Sequence, residues 1–493
     1  MTLRLCSLLL FGLSLASPAI AAERPNIFFM IADDWSREHA GVYGCDWVKT
    51  PHFDRVANEG VRFEHCYTSN PKCSPCRASI LTGRNTWQLE EACNHFGKFE
   101  KKWSVYTEIL TEAGYHVGYT GKGWGPGKAI GFETTPAGKP YQRQKLSPPH
   151  EEMSRIDYAA NFATFLEERE GGQPFCFWLG TYEPHRSYEE GAGRRSGRNP
   201  KDVVIPPYFP DSSVIRSDFL DYAIEVEWFD SVLGDALGIL ERSGEMENTL
   251  IVVTSDHGCP FPRVKGQIYE DGYRLPLAVM WKDKVTGGRV VEDFINVRDF
   301  MPTYLELAGV EVPETVTGRS FVDILESKKS GWIDESRDVM LVGKERHDLG
   351  RPHDWGYPTR GIRTRDYLYL RNYEPDRWPA CNPETNYPNC DWSPTMQSLI
   401  RNYNKYYQLS FGKRPAEELY DINQDPRCVD NLTEKAELAN TKAKLGSRME
   451  EMLRDEGDPR MLGRGWIFDT YEYVGSHRHS YGTWLENHGA SKE

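Results

Sequence analysis

The chain has 493 residues and a formal net charge of −14, from 73 acidic against 59 basic residues. That balance argues against a nucleic-acid surface built on bulk charge, and it requires any anionic ligand to be met by basic groups gathered locally. The length permits a large buried core, either in two or three domains or in one broad α/β sheet.

Residues 1–22 read as a secretory leader, with Arg4 in the basic region, an apolar run over 8–15 and a small-x-small site at Ala19-Ile20-Ala21. The run is too short to span a membrane and no later stretch approaches ~20 uninterrupted apolar residues. The expected product is a soluble exported protein, secreted or periplasmic, with no membrane span. Residues 26–32 are continuously apolar, as in a strand covered on both faces. They end in Asp33-Asp34, a pair that either caps a turn or stands where open α/β sheets place their sites.

Cys73-Ser74-Pro75-Cys76-Arg77 reads as a helix start, because Pro75 suits a first turn and Arg77 shares a face with Cys73 four residues earlier. Spacing alone also allows Cys73 and Cys76 to be a redox or metal pair. Residues 104–113 have helical spacing, and 115–120 read as a short strand leading into Gly121-Lys122-Gly123-Trp124-Gly125. Another buried strand, 174–180, ends in Thr181-Tyr182-Glu183-Pro184-His185-Arg186. An amphipathic helix over 218–242 is core.

Residues 249–255 repeat the first strand's pattern and deliver Asp256-His257-Gly258. Three aspartates on two strand ends supply the charged oxygens a hard cation needs. A Pro-rich loop then carries Lys265, and a helix is expected within 297–307. Residues 343–391 are crowded with aromatic, His and Arg side chains, including His347, Arg351, His353 and Trp355. Such a crowd suits stacking on sugars and pairing with sulfate or carboxylate, or almost equally a polar packing surface between domains. Residues 361–372 alternate like one exposed-face strand, 418–426 read as a strand and turn, and 433–454 as a helix. The expected division is 23–358 and 359–493. Of eleven cysteines, Cys6 lies in the leader and Cys73 in the motif; the others form an odd set in which Cys381 and Cys390 are the expected local disulfide. Paired spacing for zinc is lacking.

The run containing Cys73, Pro75, Arg77, Leu81, Thr82, Gly83 and Arg84 resembles the signature of type I sulfatases. The resemblance implies an alkaline-phosphatase-like α/β fold, a large mixed sheet sandwiched by helices with a smaller C-terminal antiparallel-sheet subdomain that contributes to substrate binding. It implies conversion of Cys73 to formylglycine by a formylglycine-generating enzyme, and a divalent cation, usually calcium, on Asp33, Asp34, residue 73, Asp256 and His257. Arg77, Lys122 and Lys265 would then face the sulfate, and His185 the leaving group. Glu183-Pro184-His185-Arg186, the 259–262 loop and His347-Asp348 are similar to heparan N-sulfatases. This implies contacts from Glu183, His347, Arg351 and His353 to a sulfated carbohydrate, as sulfate ester or sulfamate. Two positions depart from the family: Cys76 stands where many members have serine, and Trp124 where a histidine contacts formylglycine. The alternatives are a phosphoester or phosphonate hydrolase on the same fold, or a silent polysaccharide-binding relative.

Overall fold

The computed structural model describes residues 24–402 and 404–489; the expected leader lies outside the described residues. No helix among them is long and apolar enough to cross a membrane. The two runs singled out for continuous apolarity are the central strands of a nine-stranded sheet, and every residue of Asn26–Ala32 and Thr249–Ser255 is buried. Side chains alternate between the two faces with period two. Phe28 and Met30 enter a core with Phe219, Tyr222 and Phe229 of the helix Ser213–Ser243. Ile27, Phe29 and Ile31 enter the opposite core, with Ile80 of Cys73–Thr82 and Phe300 of Phe300–Leu307.

Across the sheet the order is Arg289–Val291, Val61–Tyr67, Arg274–Met280, Thr249–Ser255, Asn26–Ala32, Phe175–Gly180, His116–Gly121 and Lys139–Pro140, with Ile295–Asn296 also on Val61–Tyr67. Only Arg274–Met280 runs against its neighbours. The result is a mixed sheet whose central carboxyl ends point the same way. Parallel register pairs Ala32 with Ser255 and Ile31 with Gly180, so the acidic dipeptides and the His185 loop emerge side by side.

The small sheet is antiparallel, in the order Val339–Lys344, Thr359–Thr364, Tyr367–Asn372, Glu417–Asp421. Its first strand comes from upstream of the expected break at 358. One face packs on Tyr67, Tyr273 and Phe294 of the main body, the other on Leu445, Met449 and Leu453 of the helix Ala439–Asp455. The single strand expected over 361–372 is a hairpin, turning at Arg365-Asp366. The 218–242 helix begins earlier, at Ser213, where the Ser212 hydroxyl accepts from Ile215 N and caps it. Cys381 and Cys390 are free thiols, turned to different carbonyls, Asp348 O and Asp391 O, so the expected disulfide is not present.

Most of the guanidinium-aromatic crowd is internal. Arg360 is ion-paired to Asp458 at 2.7 Å and Glu345 at 2.8 Å, and Arg363 donates to Glu270 at 2.6 Å, tying the small sheet to the main body. For these residues the packing reading prevails over sugar contact.

Close backbone approach fixes one feature that matters at the site. Lys122 N donates to Gly180 O at 2.7 Å, and a Cβ on Gly180 would lie 2.0 Å from Lys122 O. Only glycine lets these strand ends touch. Gly180→Ala is expected to lower stability by about 1–3 kcal/mol through overpacking, read as a fall in Tm, and to displace Lys122; an unchanged Tm would contradict this contact.

Candidate functional site

The helix Cys73–Thr82 is buried over all ten residues, begins after extended Lys72 and ends on Gly83 at φ 63°. It places Cys73 at its positive end and Arg77 one turn on. Asp33 and Asp34 follow one central strand, Asp256 and His257 the next. Single ligand atoms of Asp33, Cys73, Asp256 and His257 all lie within 4.8 Å of one another.

Each buried carboxylate has a cation. Arg77 Nε donates to Asp256 Oδ2 at 2.9 Å, and its Nη2 lies 3.5 Å from Asp33 Oδ1. Lys122 Nζ is 2.5 Å from Asp33 Oδ2, and Lys265 Nζ 2.7 Å from Asp34 Oδ2. His257 Nε2 lies 2.9 Å from Asp34 Oδ1 and 3.3 Å from Cys73 Sγ, while its Nδ1 is 3.0 Å from Gly258 O. Burial opposes charge on the imidazole, but Asp34, Asp256 and Cys73 together hold it well above its ordinary value, so Nδ1–H donates to that carbonyl and a second proton, on Nε2, faces the cluster.

The charges bias one another. Burial raises the carboxyl groups of Asp33 and Asp34, but Lys122, His185 and Arg77 around the first, and Lys265, His257 and His185 around the second, together outweigh it and hold both well below the usual range. Burial and the Asp33 charge push Asp256 up to about 7. Burial and Asp33 oppose ionisation of Cys73, yet Lys122, His257 and Lys265 bring the thiol well below its ordinary value. An anion is therefore stabilised at position 73. Asp33 Oδ1 and Asp34 Oδ1 are buried without a hydrogen bond. Uncompensated oxygens among three carboxylates suit a hard cation, so the cluster is compatible with a bound metal ion.

His185 joins from the strand Phe175–Gly180, and its ring nitrogen lies within 4.8 Å of carboxylate oxygens of Asp34 and Asp391. Asp391 was not foreseen. From a loop more than a hundred residues downstream it is ion-paired to Lys265 Nζ at 2.7 Å. No local pattern marks it. Lys265 is not the solvated loop lysine its setting allowed, but is buried between two carboxylates.

The residues expected to contact carbohydrate divide. Glu183 is buried, accepting from Ser154 N at 2.8 Å and Tyr158 Oη at 2.9 Å. His347 is buried with Nε2 2.6 Å from Asn70 Oδ1, in a polar layer where Lys72 donates to Asn389 at 3.0 Å and pairs with Asp348 at 3.3 Å. That layer braces the residue preceding Cys73. Arg351 spends its guanidinium on carbonyl oxygens including Trp378 O at 2.7 Å and Pro379 O at 3.0 Å, so it holds a loop. His353 is exposed and stacks on Trp355, with centroids 4.4 Å apart. The structure thus gives His347 and Arg351 internal partners rather than a free face.

Trp124 now has an account. Its indole Nε1–H donates to Ser74 O at 3.1 Å, in the first turn of the Cys73 helix, and its ring packs on Phe99 at 5.2 Å. Cys76, also in that helix, is buried and its thiol is pushed well above its ordinary value, first by burial and then by Asp256. It is a core neighbour and shares no metal cluster with Cys73 among the described residues.

Residues 25–310 match the family described as Sulfatase, and residues 263–383 that described as N-sulphoglucosamine sulphohydrolase, C-terminal. The chain is 27% identical to the N-sulphoglucosamine sulphohydrolase of Homo sapiens, over 92% of this chain and 91% of that one. It is 25% identical to the N-acetylglucosamine-6-O-sulfatase of Bacteroides thetaiotaomicron, over 91% and 90%. Among solved structures, one in complex with its substrate D-glucosamine-2-N,6-O-disulfate superposes with a TM-score of 0.63 at 22% identity, covering 88% of this chain and 98% of that one. The fold is also that of a phosphonate monoester hydrolase from Silicibacter pomeroyi, at a TM-score of 0.66 and 17% identity over 88% and 96%.

If Trp124 acts by holding Ser74, Trp124→Phe should cost about 1 kcal/mol of stability and leave kcat/KM within a few-fold of wild type. A loss of about 100-fold or more, the scale of a missing acid–base group, in a variant with unchanged Tm would assign Trp124 to the chemistry instead.

Proposed function

The chain belongs to the sulfatase family, and from that premise we propose that it removes sulfate from sulfated saccharides, as ester or sulfamate, through a formylglycine made from Cys73 and a calcium ion. The observation that carries the reading is the gathering of Arg77, Lys122 and Lys265 on the aspartates around position 73, with His257 Nε2 3.3 Å from Cys73 Sγ and Lys122, His257 and Lys265 together drawing that buried thiol well below its ordinary value. Hydrated formylglycine supplies a hydroxyl that takes the sulfuryl group from the substrate and then releases it as sulfate, returning the aldehyde. A calcium ion would be held by Asp33, Asp34, Asp256, the oxygen at position 73 and His257 once its Nε2 proton has left, and would supply positive charge that favours the ionised form of that hydroxyl. Hard oxygen donors suit calcium better than the Cys73 thiolate would, which favours a modified side chain there.

The chain's own residues do the rest. Lys122 and Lys265 stand over the two aspartates and stabilise charge on the sulfuryl oxygens. Arg77, fixed by Asp256, holds the nucleophile's surroundings positive. His185 gives a proton to the departing sugar oxygen or nitrogen. Asp391 keeps Lys265 between two carboxylates, so the segment after 358 contributes to the site, in line with a substrate-binding role for 359–493. Cys73, Pro75 and Arg77 are fully buried, so a formylglycine-generating enzyme must act before the chain folds. The apolar leader supports an exported protein.

Peptide mass analysis of active protein should find formylglycine at 73, and Cys73→Ala should lower sulfate release by 1,000-fold or more; an unmodified thiol at full activity would sink the mechanism. An aryl phosphate preferred to the aryl sulfate in kcat/KM would overturn the sulfatase chemistry. Chelation should lower Tm, and calcium at 100 times its Kd should restore about 2.7 kcal/mol; a Tm indifferent to chelation would remove the metal from the proposal.

A further inference from the structure

Next to His185 a cavity of about 350 Å³ is lined by Glu152, Ser154, Tyr182, Glu183, His185, Arg186, Ser187 and Glu225. Its size suits one sugar ring. Glu225, on the inner face of the helix Ser213–Ser243, is 3% exposed and makes no hydrogen bond or ion pair among the described residues. Its carboxyl opens on the cavity. Its neighbours are already occupied. Glu183 accepts from Ser154 and Tyr158, and Glu152 from Ser187 Oγ at 2.6 Å. Arg186 is neutralised by Asp218 at 2.7 Å and donates to Pro260 O at 3.0 Å. Tyr182 stands at the rim, 45% exposed, with a ring face for stacking.

Resting on the sulfatase reading, we propose that this cavity is the leaving-group subsite. It would take the sugar that carries the scissile sulfate, with Glu225 hydrogen-bonded to one of its hydroxyl or amino groups and no second anionic substituent admitted. The walls carry three carboxyl groups, and their single guanidinium is already paired, so a second sulfate would enter without a counter-charge. Burial, then Glu183, Glu152 and Asp221, push the Glu225 carboxyl up to about 9. At neutral pH it is then an acid with one O–H to give and one oxygen to accept, a pairing a sugar hydroxyl can complete.

The test compares wild type, Glu225→Ala and Glu225→Gln on 4-nitrophenyl sulfate and on a panel of monosulfated monosaccharides, N-sulfo- and 6-O-sulfo-D-glucosamine included, with the 2-N,6-O-disulfate beside them. Glu225→Ala should raise KM for the best sugar about tenfold with kcat little changed, and Glu225→Gln should recover most of that loss. The aryl sulfate offers Glu225 no hydroxyl or amino group, so its KM should change far less than that of the sugar, and wild type should prefer the monosulfate to the disulfate. The inference falls if KM for the sugar is unaffected, if sugar and aryl sulfate fall together, if the disulfate is preferred, or if no sugar is handled better than the aryl sulfate. Absence of sulfate release from every compound, by protein bearing formylglycine, would overturn the sulfatase reading itself and the subsite with it.

Discussion

Strand register brings three carboxylates to one water-poor point, and much of the molecule is arranged to make that tolerable. Asn26–Ala32 and Thr249–Ser255 run parallel and in step, so Asp33, Asp34 and Asp256 cannot avoid one another. Isolated buried charges cost several kcal/mol each, and breaking a buried pair by removing one partner costs about 3–5 kcal/mol. The remedy is cations from four separate segments: Arg77 from a buried helix, Lys122 from a neighbouring strand end, Lys265 from a Pro-rich loop and His257 from the acidic strand itself. Each segment carries a structural condition. The Lys122 strand requires Gly180, and the Lys265 loop requires Asp391 from far down the chain.

A second layer keeps the Cys73 helix in place. Trp124 holds the carbonyl of Ser74 in its first turn, while Asn70, Lys72, His347, Asp348 and Asn389 form a closed polar network behind its N-terminus. Burial, with Lys344 and Lys72 nearby, holds His347 well below its ordinary value, so it serves there as a neutral hydrogen-bonding ring. Residues that resemble substrate contacts when read along the chain are, in the fold, supports for the helix that carries Cys73. The same holds for Arg351, Arg360 and Arg363, whose guanidinium groups bind carbonyls and carboxylates between the two sheets.

The centre of the site was legible because its signals are local. A continuous apolar strand ending in an acid occurs twice, and the Cys73–Arg84 run carries its helix start, thiol and guanidinium within a few residues. Contacts made by chain return were not legible. Asp391 has no pattern around it that says which lysine it will meet, and Glu225 sits in a helix whose apolar stripe reads as core throughout. The hairpin over Thr359–Asn372 was hidden because Arg365-Asp366 lacks the Asn-Gly or Gly-rich signature of a tight turn. Cys381 and Cys390 looked like a pair by proximity in sequence, but the loop between them turns their thiols to different carbonyls. Trp124 could be flagged as a departure, yet its partner, a backbone carbonyl, leaves no trace in residue types.

Two opposite environments meet at His185. On one side lie Lys122, Lys265 and Arg77, each paired with an aspartate of the cluster, and the positive end of the Cys73 helix; on the other, carboxyl groups of Glu152, Glu183 and Glu225 with an aromatic rim. A sulfated sugar is itself polarised, with an anion at one end and hydroxyls elsewhere. Entering sulfate first, it matches both halves; reversed, it would set its anion against carboxyl groups and leave the lysines facing a neutral ring. An anion taken out of water there, with the one guanidinium already paired to Asp218, would lack a counter-charge, and that cost is enough to reject an orientation. The excess of acidic residues over the chain is therefore compatible with an anionic substrate, because attraction is confined to the few ångströms around position 73 and the walls beyond it set direction.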